Sequence, residues 1–136
     1  MVNRSFGIRA AIAGLVLVPA MSACSMNPIG NGGVVPPHDV EIVDNAVQLG
    51  PNAFSPPSAV VSLAAQNKVT WYNADFSLYG GPGGTSHHLI SDDGTTFDSD
   101  VLAPNGVFQA TFTAPGTYAY HCEFHPEMTG TVTVNP

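Results

Sequence analysis

Short β-rich runs separated by Gly and Pro are the feature that most constrains the fold of this 136-residue chain. No segment shows helical periodicity over three turns. The runs are instead bounded by turn signals such as Gly50-Pro51-Asn52 and Pro115-Gly116, a series that predicts an antiparallel sandwich or barrel. The expected strands lie at about 39–43, 46–49, 59–64, 68–73, 86–91, 107–113, 116–122 and 129–134.

Residues 1–23 are predicted to be a signal peptide rather than part of the fold. Arg4 and Arg9 give a positively charged N-terminal region, and the apolar run at 10–18 that follows is too short to span a bilayer. The protein is therefore expected to be exported, to the periplasm or the outer cell surface.

The end of the signal segment, Met21-Ser22-Ala23-Cys24, resembles a bacterial lipobox, although Leu is usual where Met21 stands. In that reading Cys24 is lipidated and anchors the protein to a membrane. The alternative is an ordinary cleavage near Ala23 that leaves a free thiol. Residues 24–37 are rich in Gly, Pro and Asn, so they are predicted to be a flexible tether to a domain at 38–136.

The predicted mature chain is strongly acidic. Loss of Arg4 and Arg9 takes the formal net charge from −7 to −9, because all ten acidic residues lie downstream and Lys68 is then the single basic residue. This balance argues against nucleic-acid binding, which needs a basic surface. It favours solubility and electrostatic steering toward a basic protein partner.

One loop near the C-terminus carries the chemistry. Cys122-Glu-Phe-His125-Pro-Glu-Met128 supplies a thiolate, an imidazole and a thioether, and His87 or His88 adds an imidazole about thirty-five residues upstream. One Cys, two His and a weak Met sulfur form the ligand set of a blue-copper site. Zinc is less suited to this set, since structural zinc sites use four strong ligands. If Cys24 is lipidated, no disulfide partner competes for Cys122.

Strand alternation assigns directions around Cys122. Tyr118, Tyr120 and Cys122 share one face of their strand, which the two tyrosines suggest is the core. His121 then points outward and is predicted to be a surface residue, as is His38 at the start of the domain. Alternation does not choose between His87 and His88, because the two residues that follow them are both apolar.

The segments SHHLISDDG (86–94) and PGTYAYHCEFHPEMTGTV (115–132) resemble the cupredoxin family, most closely its plastocyanin/amicyanin-like branch. The resemblance covers about residues 38–136 and implies a Greek-key β-sandwich or barrel of about eight strands. It also implies one type 1 copper per chain, and its alignment makes His87 the upstream ligand beside Cys122, His125 and Met128. His88 then stands where relatives carry an Asn or Thr that bonds the Cys-bearing loop.

The resulting hypothesis is a monomeric electron carrier, not an enzyme, because a four-ligand site leaves no open position for chemistry. It would cycle Cu(I)/Cu(II) between redox proteins such as basic cytochromes, a dehydrogenase or an oxidase. A copper storage or delivery protein is the alternative, weakened because the predicted tether and domain start offer only Met26 and His38 as extra donors. A metal-free interaction module is a third reading, against which the intact ligand residues argue.

Overall fold

Two sheets build the fold of the computed structural model, which describes residues 34–77 and 81–136. The strands in chain order are β1 (Val40–Ile42), β2 (Phe54–Ser55), β3 (Ser58–Ser62), β4 (Lys68–Asn73), β5 (His87–Ser91), β6 (Asp98–Leu102), β7 (Val107–Thr111), β8 (Gly116–Cys122) and β9 (His125–Asn135). One sheet has the order β2-β1-β4-β7 and the other β3-β9-β8-β5-β6. The prediction of an all-β sandwich is confirmed.

The strand pairing is mixed rather than purely antiparallel. β1 runs parallel to β4, and β3 runs parallel to β9, while the other pairs are antiparallel. Parallel neighbours need a long connection instead of a hairpin, and both parallel pairs here join strands that are far apart in the chain. The expectation of an antiparallel sandwich was therefore wrong for these two pairs.

The predicted strand at 46–49 is wrong, because Ala46–Leu49 is a single helical turn, α1. A four-residue apolar run does not distinguish strand from helix by periodicity. Asn45 precedes the turn in the left-handed region at φ 60°, and Gly50 follows it at φ 53°. These two residues bend the chain at both ends, and a short 3-10 turn, Gly50–Asn52, continues to β2.

β6 was not predicted as a strand because its sequence, Asp-Ser-Asp-Val-Leu, has no apolar alternation. It lies at the edge of its sheet and pairs only with β5 among the strands described. A charged edge strand of this kind discourages pairing with another chain. β9 also begins earlier than predicted, at His125 instead of 129, so part of the predicted metal loop is itself strand.

The core between the sheets is aromatic. Trp71 of β4 is fully buried, and its ring lies 5.5 Å from that of Tyr120 on β8 and 5.1 Å from that of Phe97. Edge-to-face and tilted ring pairs at such distances add to the free energy gained by burying the rings. This packing fixes β8, and with it Cys122, against the opposite sheet.

The predicted signal peptide, Cys24 and residues 25–33 of the predicted tether lie outside the described residues. Within the described part of the chain, no helix is long and apolar enough to cross a bilayer.

Gly130→Ala should destabilise the fold, because Gly130 faces Tyr120 across the β8–β9 ladder. An added Cβ would lie 2.4 Å from the Cζ and Oη atoms of Tyr120, whose ring is buried. Overpacking of this kind costs about 1–3 kcal/mol, which denaturant unfolding of the metal-free protein would measure. Thr129→Ala, at an exposed position of the same strand, is the control, with an expected cost under about 1 kcal/mol. Equal losses in the two variants would show that Tyr120 moves aside freely.

Candidate metal centre

β5 places the two adjacent histidines on opposite faces of its sheet. His87, Leu89 and Ser91 are buried, whereas His88 and Ile90 are only partly so. His87 therefore points into the sandwich, and His88 points outward. Strand alternation left this choice open because Leu89 and Ile90 are both apolar, whereas the fold fully buries only Leu89.

β8 shows the alternation that the sequence predicts. Tyr120 and Cys122 are fully buried, and Tyr118 packs partly buried against the same core. His121 lies on the other face, where its Nδ1 atom is 2.6 Å from Asp92 Oδ1. This contact with Asp92 gives His121 a surface role, as expected.

Three donor side chains converge at the end of the sandwich where β5, β8 and β9 meet. The Nδ1 atom of His87 is 3.7 Å from Cys122 Sγ, and the Nδ1 atom of His125 is 3.6 Å from it. All three donor atoms lie within 4.8 Å of one another. Met128 follows on β9 and is fully buried. The structure thus brings together the donor atoms of His87, Cys122 and His125, and it is His87 rather than His88 that belongs to this group.

The donor chemistry of this group fits copper. Nitrogen from two imidazoles and sulfur from a thiolate and a thioether suit a redox-active copper ion and not a hard cation, which prefers oxygen. No carboxylate belongs to the cluster of donor atoms in the described residues. Cys122 also accepts a long hydrogen bond from the backbone N–H of His88, at 3.5 Å.

The turn between Cys122 and His125 is held by β5. The backbone N–H of Glu123 donates to the carbonyl of His88 at 2.7 Å. Cys122 pairs with His125 directly, and the β8–β9 register shifts between His121 and Cys122. The irregularity lets two residues three apart in the chain direct their donors to one point.

The side chain of His88 joins β6 to the ligand loop. Its Nε2 atom is 2.6 Å from Asp98 Oδ1, and its Nδ1 atom is 2.5 Å from Glu123 Oε2. The hydrogen bond that His88 donates to Asp98 is the main cause that raises the pKa of His88, and the charges of Asp98 and Glu123 add to it. The imidazole therefore holds the Cys-bearing loop through Glu123, in the place where the sequence resemblance leads one to expect an Asn or Thr.

Asp75 is a residue of this site that sequence reasoning missed. Its Oδ2 atom is 3.1 Å from His87 Nε2, and both side chains are fully buried. Burial lowers the pKa of His87, and the Asp75 partner opposes that effect without overcoming it. Burial would raise the pKa of Asp75, but hydrogen bonds from Ser77, His87 and Asn45 outweigh it, so the pKa lies below its ordinary value.

A sequence signal for Asp75 existed in the alternating polar residues that begin at the end of β4. Asn73, Asp75 and Ser77 alternate there, and all three are buried. Buried polar side chains in series indicate a hydrogen-bonded network. Nothing in their spacing shows that the network ends on a histidine twelve residues later.

These features define a β-sandwich protein with a His-Cys-His-Met candidate metal centre at one end. The family profile described as "Cupredoxin-like domain" matches residues 24–134. The chain therefore belongs to the cupredoxin-like family, whose members bind one copper ion and are generally electron carriers.

Individual relatives agree with this assignment. The chain is 27% identical to amicyanin-alpha of Methylorubrum extorquens over 96% of its own length and 98% of the relative's. It is 32% identical to chloroplastic plastocyanin of Hordeum vulgare over 99% of its length and 82% of the relative's. Among solved structures, a purple cupredoxin from Nitrosopumilus maritimus superposes with a TM-score of 0.59 at 26% identity. That match covers 73% of this chain and all of the other.

Proposed function

We propose that this protein is a type 1 copper electron carrier of the bacterial cell envelope, with His87, Cys122, His125 and Met128 as the ligands. The observation that carries the proposal is the approach of two imidazole Nδ1 atoms to within 3.7 Å of the buried Cys122 sulfur. Bound copper would supply a one-electron couple between Cu(I) and Cu(II).

The protein fixes the positions of the donor atoms and excludes water from them. His87, Cys122 and Met128 are fully buried, so water is kept from three of the four positions. His87 and Cys122 lie on paired strands of one sheet, a support that keeps their positions fixed. Small movement of the donors between the two charge states favours rapid electron exchange, and this activity needs no substrate pocket.

His125 is the donor that reaches the surface. It is half-buried, and its ring lies 6.5 Å from that of Phe124, which is 47% exposed. Phe124 in turn contacts the ring of His88 at 5.7 Å. An exposed aromatic beside the half-buried ligand provides an apolar contact through which a partner approaches the centre.

Two acidic side chains lie beside this contact. Asp98 and Glu123, the partners of His88, are 63% and 55% exposed, and Asp92 pairs with His121 on the neighbouring face. Together with the net charge of the chain, they favour a basic redox partner, for example a basic cytochrome, a dehydrogenase or an oxidase.

Electron transfer to a cationic acceptor should slow as salt is added. Steering by the acidic surface speeds encounter by about 10- to 1000-fold, and the gain shrinks as the Debye length falls to about 8 Å. Stopped-flow measurement of the bimolecular rate with a basic cytochrome across a salt series tests this. An acidic cytochrome is the matched control and should give the opposite slope.

A rate with the basic cytochrome that stays flat, or that rises with salt, would assign the acidic surface to solubility alone. If the loaded protein exchanged no electrons with either acceptor but gave up its copper to a metal-free acceptor protein, the function would be delivery rather than electron transfer.

The protein is further proposed to be exported and anchored through lipid on Cys24, as a monomer. The lipobox-like Met21-Ser22-Ala23-Cys24 supports this. Protein expressed in its native host should enter the detergent phase on partitioning, and Cys24→Ser should move it to the aqueous phase. A wild-type protein that is already fully aqueous would contradict the anchor but not the copper centre.

A further inference from the structure

Asp75 lies in the loop that leaves β4, and its backbone is fixed on both sides. Its N–H donates to Asn73 Oδ1 at 2.9 Å, and its carbonyl accepts from the Thr85 N–H at 2.9 Å. The Asn73 amide donates in turn to the carbonyls of Thr85 and Leu102, both at 2.9 Å. The segment just before β5, the end of β6 and the Asp75 loop are thus bound to one buried amide.

The Asp75 carboxylate is placed as an acceptor on both of its oxygens. Oδ1 accepts from the backbone N–H groups of Asn45 at 3.1 Å and Ser77 at 3.0 Å, and from the Ser77 hydroxyl. Oδ2 faces His87 Nε2 at 3.1 Å. A buried charge is costly unless it is hydrogen-bonded, and these donors meet that requirement.

The Asp75 carboxylate, as a hydrogen-bond acceptor, determines the tautomer of the neutral His87 imidazole. Because Oδ2 accepts, the proton of the neutral imidazole resides on Nε2, and Nδ1 keeps its lone pair. That lone pair is on the nitrogen that faces Cys122 Sγ at 3.7 Å. A carboxylate on the far nitrogen of a ligating histidine orients the ring and makes it a stronger donor.

We propose that Asp75 is a positioning residue of the copper centre, which fixes the Nε2–H tautomer of His87 and favours the oxidised ion through its buried negative charge. The effect on the oxidised ion rests on the proposed function. The tautomer of His87 does not, since it is a property of the protein without metal. The fully buried carboxylate faces the ligand itself, whereas Asp98 and Glu123 face the non-ligand His88 from the solvent side.

Asp75→Asn is the informative variant because it keeps the size of the side chain and removes the charge. If the amide oxygen keeps the donors at Asn45 and Ser77, its NH2 group faces His87 Nε2 and forces the proton onto Nδ1. If the amide turns around, its NH2 group faces the donors of Asn45 and Ser77 instead. Either way one set of contacts is lost.

The expected result is a 10- to 100-fold weaker Cu(II) affinity, the usual range for loss of such a partner. With Cu(I) affinity unchanged, this corresponds to a reduction potential raised by about 60–120 mV, at about 59 mV per tenfold for one electron. The matched control is Asp98→Asn, which removes one exposed charge near the same strand and should give a clearly smaller shift. Equal shifts in the two variants, or no shift in Asp75→Asn, would overturn the proposal.

The tautomer of His87 can be measured in the copper-free protein. Nitrogen-15 NMR of the metal-free wild-type protein, at a pH where His87 is neutral, should show the proton on Nε2. A proton on Nδ1 would overturn the proposal even if the loaded protein were blue and active. A proton on Nε2 in a protein that never turned blue would support the tautomer and refute the copper function. This readout stands even if Asp75→Asn does not fold.

Discussion

Cys122→Ser should abolish the intense blue colour expected of the Cu(II) protein. The colour arises from charge transfer from the thiolate to the metal, and a serine hydroxyl at this position supplies no such transition. The two imidazoles 3.6 and 3.7 Å from the sulfur remain, so weak and pale copper binding is still expected. Visible absorption during titration with Cu(II) measures the loss.

The matched control makes the same chemical change at the other cysteine. Cys24→Ser should leave the absorption unchanged, because Cys24 belongs to the predicted lipobox and is not among the four proposed ligands. Circular dichroism of both metal-free variants checks folding, since Ser at the fully buried position 122 leaves a polar hydroxyl to satisfy. A Cys122→Ser protein that stayed blue would disprove the assignment of the metal centre.

The variants His87→Ala and His88→Ala should differ completely in the colour of their copper-loaded forms. His87→Ala removes a buried donor and should destroy the blue site. It also leaves the buried Asp75 carboxylate without its imidazole partner, a loss of about 1–3 kcal/mol in the free energy of unfolding. His88→Ala should keep the colour, because its imidazole points outward to Asp98 and Glu123.

Loss of the His88 imidazole should change the potential and loosen the ligand loop without emptying the centre. Spectra, copper stoichiometry and thermal unfolding of the two variants are the measurements. The reverse outcome, a blue His87→Ala protein and a colourless His88→Ala protein, would show that the ligand comes from the other face of β5.

Local rules predicted the parts of this protein whose pattern is long or chemically distinctive. The alternation of Tyr118, Tyr120 and Cys122 foretold which face of β8 is buried, since side chains in a strand alternate whatever its neighbours are. The local rules failed where the segment was short or polar. Ala46–Leu49 became a helical turn, and β6, with its charged residues, was recognised only from its pairing with β5.

The sequence by itself determined the donor types of the candidate centre. Cys122, His125 and Met128 are close in the chain, so their spacing alone limits how far apart their side chains can lie. Strand alternation did not choose between His87 and His88, and the family resemblance favoured His87. The tertiary structure shows that His87 is the one that approaches Cys122, because it lies on the buried side of β5. Only the tertiary structure revealed Asp75, because the contact joins the loop after β4 to His87, twelve positions later. Both side chains are fully buried, so no water screens the carboxylate from the imidazole.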